Sequence, residues 1–270
     1  MIFHGTRISN SIISLGLAIV LSLTSIPAGL AQDNEPYIRL VPSMEPGKTG
    51  PLNPVGLTFS SKSKNFYVVE DQGQGQTPTV NSNVIAITSH ANRRGTVRIA
   101  AIIEDPLNMV FDNQNERLLA FLPSANQLLE VREGPSSNLE PTIVIRHNAK
   151  RFGIQNPQGL TLDEGSGGLF ILDAVGPRIV RVQLGPGRNF TGGRISEIDL
   201  GSSGLVAPHG IAFDPTTGHL HVYDVIDQNL YELTQNGTVV ATRSLVSFDL
   251  KSPQAMVLHP VATRRTIHRK

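Results

Sequence analysis

The chain has 270 residues, 39% hydrophobic and 5% aromatic, with no Trp or Cys, and its 23 basic and 22 acidic residues give a formal net charge of +1. The absence of Cys excludes disulfides, Cys-based metal sites and Cys nucleophiles, and the even charge balance supplies no basic surface for nucleic acid. With 25 Gly and 18 Pro, the composition suits a turn-dense all-β chain better than a helical one.

Residues 1–31 have the order of a secretory signal peptide. Arg7 precedes an apolar run, IISLGLAIVLSL at 12–23, and Gly29 and Ala31 place small residues at positions −3 and −1 of a cleavage site. The run has twelve residues, short of the roughly 20 that a membrane span needs. The expectation is export to the periplasm or exterior of a bacterial cell, with no spanning segment after cleavage. Cleavage removes one base and no acid, leaving 22 of each.

Residues 32–52 form an extension in which YIRLVP (37–42) is a candidate ring-closing strand. A phrase then recurs five times: NPVGLTFS (53–60), DPLNMVFD (105–112), NPQGLTLD (156–163), APHGIAFD (207–214) and SPQAMVLH (252–259). Its prolines, 54, 106, 157, 208 and 253, are separated by 52, 51, 51 and 45 residues. A period near 50 signals stacked units, none able to bury its own apolar face.

Each unit repeats the same order. Ser60, Asp112, Asp163, Asp214 and His259 stand six residues after the proline, and polar turns such as DEGSGG and DPTTGH follow. There the acidic residues read as turn caps. Next come NFYVVE, RLLAFL, GLFILD and HLHVYD, then NVIAIT, QLLEVR, RIVRVQL and NLYELT at period two, then a last strand-like piece. Four strands per unit predict a β-propeller blade.

The count gives an all-β propeller of four full blades and part of a fifth, over 53–260. Arg269 aligns where Asp173 and Asp224 stand in their units, so the fifth unit has no outer strands. This predicts an open or incomplete six-bladed ring, a truncated chain in that sense, whose unpaired edge invites pairing with another chain. Residues 261–270 form a basic tail, with four bases and no acid against 18 bases and 22 acids over 32–260. It is read as frayed and solvated.

The phrase P-x-G-[LI]-[TA]-[FL]-[DS], best kept at 54–60, 157–163 and 208–214, resembles that of the NHL-type and regucalcin-like (gluconolactonase-type) six-bladed propeller superfamily. The resemblance covers about residues 53–260. It implies that the phrase begins each innermost strand. It also implies a channel mouth where members with hydrolase activity hold a divalent cation on carboxylate and Asn side chains.

At that mouth the residue between Pro and Gly is the place to look for function: Val55, Leu107, Gln158, His209 and Gln254. With the preceding Asn53 and Asn156, the candidate ligand-binding set is Asn53, Asn156, Gln158, His209 and Gln254. His209 is the candidate catalytic residue, as a general base or a metal ligand, with a hydrogen-bonding role in a ligand pocket as the competing reading. The weak metal candidates are Glu70, Asp173 and Asp224, sixteen residues after their prolines; a turn-capping role competes for all three. Ca²⁺ favours several charged oxygens, which the middle positions lack. No cofactor is expected, and Ca²⁺ enters only with the alternative activity.

His219 and His221 share one face of a strand, read as a solvent face. The polar, Gly-rich stretch 71–83 reads as a flexible loop, with a recognition element over the channel mouth as the alternative. The sequence has no G-x-S-x-G elbow, phosphate-binding loop or H-E-x-x-H helix. The functional expectation is an exported, non-catalytic propeller that binds a protein, peptide or saccharide at the channel face. The alternative is a metal-dependent lactonase or esterase.

Overall fold

The computed structural model describes residues 19–23, 54–70, 82–88, 93–99, 109–133, 139–190, 192–248, 250 and 256–260. The candidate strand 37–42, the stretch 71–81 and the tail 261–270 lie outside them.

Strand β1 (Ile19–Leu23) precedes four antiparallel sheets of four strands each. Blade one contains β2 (Pro54–Ser60), β3 (Asn65–Glu70), β4 (Ser82–Thr88) and β5 (Arg93–Ile99). Blade two contains β6 (Met109–Asp112), β7 (Arg117–Leu122), β8 (Gln127–Glu133) and β9 (Leu139–Asn148). Blade three contains β10 (Pro157–Asp163), β11 (Gly168–Asp173), β12 (Arg178–Gln183) and β13 (Arg194–Asp199). Blade four contains β14 (Pro208–Phe213), β15 (Leu220–Asp224), β16 (Asn229–Leu233) and β17 (Val239–Ser244). The last described strand, β18 (Met256–Pro260), is the inner strand of a fifth unit.

Each sheet is a meander in sequence order, as short polar turns between alternating runs require. Each phrase forms an inner strand, and these five strands contact one another around a circle: β2, β6, β10, β14, β18 and back to β2. The arc left open by the repeat count is thus bridged by β18. Beside β18 runs β1, paired in parallel with Ile19 opposite Met256, whereas the inner strand of every full blade pairs antiparallel with its neighbour.

The core lies between blades. Tyr67 and Val69 of blade one pack with Met109 and Phe111 of blade two. Leu119 and Phe121 pack with Leu160 and Leu162, and Phe170 and Leu172 with Ile211 and Phe213. Tyr223 of blade four meets Met256 and Leu258 of β18, while Val257 packs on Leu57 and Phe59 of blade one. The phrase repeats because one strand surface must fit the preceding blade five times over. Near-complete exclusion of water from each large side chain contributes roughly 1.5–3 kcal/mol.

Two buried threonines tie neighbouring inner strands. Thr58 Oγ1 accepts from the Phe111 N–H at 2.9 Å, and Thr161 Oγ1 from the Phe213 N–H at 3.0 Å. Gly159 allows β10 and β14 to approach closely: a Cβ there would stand 2.7 Å from the Ile211 backbone nitrogen and from its Cγ2.

Candidate functional site

The ring has two rims. The leading rim surrounds the starts of the inner strands and the trailing rim their ends. At the leading rim the pairing of inner and second strands slips after the proline, between Pro54 and Gly56, Pro157 and Gly159, and Pro208 and Ile211. Such a bulge leaves its extra residue outside the ladder and re-aims its side chain. The middle residues Gln158 and His209 fall on these bulges, and Gly210 beside His209 takes φ +91°, a conformation that glycine adopts without strain.

Gln158 Nε2 donates to Asn156 Oδ1 at 2.8 Å, joining two of the predicted ligand-binding residues. His209 is half-buried at the same rim of blade four. Asn53 and Gln254 lie outside the described residues. Glu70 pairs through its backbone with Pro54, in the register that joins Asp173 to Pro157 and Asp224 to Pro208.

Asp173 and Asp224 are completely buried. Asp173 accepts from the N–H groups of Gln155 (3.1 Å), Asn156 (2.9 Å) and Val175 (3.2 Å), and from Arg178 Nη2 (3.1 Å). Asp224 accepts from the N–H groups of Val206 (2.6 Å), Ala207 (2.7 Å) and Ile226 (2.9 Å). Each carboxylate pins the segment entering an inner strand to the turn beside it. The described rim donors therefore do not fit a divalent cation: the Asp173 and Asp224 carboxylates are committed to the backbone, and Asn156, Gln158 and His209 bring no negative charge. No group of three or more His, Cys, Asp or Glu able to hold a metal occurs among the described residues.

The acidic residues at the ends of the inner strands cap turns. Asp163 accepts from the Gly165 N–H at 2.9 Å, Asp214 from the Thr216 N–H at 2.8 Å and Asp112 from the Asn115 N–H at 3.2 Å.

The expected solvent face of His219 and His221 is corrected. His219 Nδ1 lies 2.6 Å from Glu232 Oε1, but His221 is 4% exposed and neither ring nitrogen has a hydrogen-bond partner. By register His221 stands where Leu119 and Phe170 stand in their blades, a position that faces the next inner strand. Burial holds its pKa below the ordinary value, against the opposing pull of Glu232 and Asp214.

A buried ion network escaped the sequence reading. Arg117 reaches Asp112 at 2.9 Å and Glu130 at 3.1 Å; His147 lies 2.9 Å and Arg132 3.2 Å from Glu130. Arg117 also donates to the Arg188 carbonyl at 2.6 Å and lies over the Phe190 ring, fastening a blade-three loop to blade two. Its charges are mutually paired, so it is structural. A basic residue at the start of a second strand with an acid diagonal to it on the third was the available signal.

Between the rims lies a channel cavity of about 430 Å³, lined by all five inner strands and open toward the trailing rim, where Ser61, Asn113, Glu164 and Thr216 line it. Of six exposed large hydrophobic residues among the described ones, four stand on the leading-rim turns between second and third strands or on the segment entering an inner strand: Val175 (46%), Val206 (63%), Val225 (38%) and Ile226 (66%).

No family model matches the chain, and no curated protein matches it. Among solved structures it is similar to a chain of a nidogen/laminin complex, at 17% identity and TM-score 0.53, covering 76% of this chain and 68% of that one. It is also similar to virginiamycin B lyase from Staphylococcus aureus, at 14% identity and TM-score 0.44, covering 77% and 74%. A putative 6-phosphogluconolactonase from Bacteroides uniformis matches at 12% identity and TM-score 0.44, covering 72% and 58%. These β-propellers differ in function, and the likeness is one of fold.

Proposed function

We propose that this chain is an exported, non-catalytic propeller of the NHL-type, regucalcin-like kind that binds an extended peptide or protein segment across its leading rim. The observation that carries this is that exposed Val175, Val206, Val225 and Ile226 stand on the leading-rim turns and entry segments of blades three and four, where the bulges of Gln158 and His209 also lie. Single exposed apolar residues are ordinary, but a cluster rimmed by polar groups marks an interaction surface. The valines and isoleucine supply apolar contact, while the bulge side chains supply hydrogen bonds that fix a backbone in register. A saccharide would favour exposed aromatic platforms; the chain has no Trp, and no aromatic residue is among the exposed large hydrophobics described. Hydrolysis at this rim would need a charged ligand set, and the carboxylates of Asp173 and Asp224 are committed elsewhere.

The test is selection of a random-peptide phage library on the folded protein, followed by affinities of recovered peptides for two double variants. Val206→Asp with Ile226→Asp, and Gln158→Ala with His209→Ala, should each weaken binding at least about tenfold, the loss of one or two good contacts. Equal affinity for the parent and both variants sinks the reading, as does chelator-sensitive turnover of a lactone panel.

A further inference from the structure

The channel cavity opens at the opposite rim from the proposed peptide surface and stands independently of it. We propose that it binds an apolar ligand tipped by a cationic nitrogen, an ammonium or guanidinium, which Glu164 receives.

At about 430 Å³ the cavity falls in the range of small-ligand pockets, roughly 300–1,000 Å³. Leu57, Met109, Leu160, Met256 and Val257 line its depth beside the hydroxyl-bearing Thr58 and Thr161, and further polar groups gather at the trailing rim. There a relay of hydrogen bonds passes from blade to blade. The Ser61 N–H donates to Asn113 Oδ1 at 2.6 Å. Asn113 donates to Glu164 Oε1 through its backbone N–H at 2.9 Å and through Nδ2 at 2.6 Å.

In blade four the equivalent residue is Pro215. Proline has neither an N–H nor a side-chain acceptor, so the relay stops at Glu164. The second carboxylate oxygen, Oε2, accepts no hydrogen bond from the described residues. Among the described residues no cation donates to Oε2, although Arg188 Nη1 is buried without a partner. Lys62 pairs with Glu116, Arg188 donates to the Glu164 backbone carbonyl, and Asp214 accepts from the Thr216 N–H and the Thr217 hydroxyl.

The result is a tube lined by apolar side chains and two threonines, with one unengaged carboxylate oxygen at its mouth among the described residues. A carboxylate in such a place gains most from a charged donor, whose hydrogen bond is about twice as strong as a neutral one. An anionic ligand is repelled, and a neutral alkyl chain leaves Oε2 as it was. The cation can come from a free amphiphilic amine or from a Lys side chain presented by a peptide.

Calorimetric titration with octylammonium, 1-octanol and octanoate tests the site, with a Lys-centred tripeptide, capped at both ends, as a fourth arm. Octylammonium should bind about tenfold more tightly than octanol, the worth of one charge-assisted bond, and octanoate should not bind. Glu164→Gln keeps an oxygen for Asn113 but removes the charge. It should lower octylammonium to the level of octanol while the melting temperature stays near that of the parent. Val110→Phe, which narrows the tube from another strand, should weaken both ligands. Tripeptide binding that depends on Glu164 assigns the cation to a protein source; octylammonium alone assigns it to a free amine. Equal binding of octylammonium and octanol by the parent, or unchanged octylammonium binding by a folded Glu164→Gln or Val110→Phe protein, overturns the proposal.

Discussion

Burying His221 with two unpartnered ring nitrogens has a cost that depends on pH. Its pKa is lowered from 6.5 in the folded chain, first because burial disfavours the imidazolium. The unfolded chain therefore takes up the proton first. Stability from this residue is fully present above about pH 6.5 and is lost as pH falls toward the folded-state value. His221→Leu, which copies Leu119 of blade two, should remove that part of the acid sensitivity. Urea midpoints at pH 7.5 and 5.5 should fall less for the variant than for the parent, and equal falls would contradict the assignment. At this scale the sequence was partly legible. A recurrent acid before a turn announces a cap, and Asp163 and Asp214 are caps. The buried side of His221 was not legible, because His at period two fits a wet or a dry face equally. Only the register of β15 against β14 decides between them.

At the scale of the strand, the Thr58 and Thr161 hydroxyls supply acceptors to inner-strand N–H groups that have no neighbour within their own sheet. Thr161→Val preserves shape and removes the acceptor, leaving the Phe213 N–H buried without a partner. A loss of about 1–3 kcal/mol is expected, measurable by chemical unfolding, and Thr161→Ser should recover most of it. The elements themselves were readable. Turn signals bound each alternating run, and the proline of the phrase marks the first residue of β2, β10 and β14. What was hidden is how inner strands join across blades. Those contacts depend on which edge faces which, and one repeat unit read alone carries no such information. The bulges at Gln158 and His209 were hidden for the same reason, since a slipped register shows only against a partner strand.

At the scale of the molecule, four sheets and one further strand make a circle because β18 is apolar on both sides: Met256 and Leu258 serve blade four, and Val257 serves blade one. Met256→Asp would place a charge against Tyr223 and Leu230. A loss on the order of 3 kcal/mol is expected, together with concentration-dependent association seen by light scattering as the parted faces seek other cover. A monomeric variant of parental stability would show that this junction matters little. The repeat count foresaw the fifth inner strand but treated it as the edge of an arc. Its bridging role rests on two surfaces that only the assembled blades present.

That junction also bears on how the molecule comes apart. β2 and β18 are about 200 residues distant along the chain, so the contact that seals the circle is among the most non-local it makes and belongs among the late events of folding. A tensile load across this seam would meet side-chain packing rather than a ladder of backbone bonds. The same holds at every junction between blades, so the ring should part at such a seam and unroll into a row of still-folded blades.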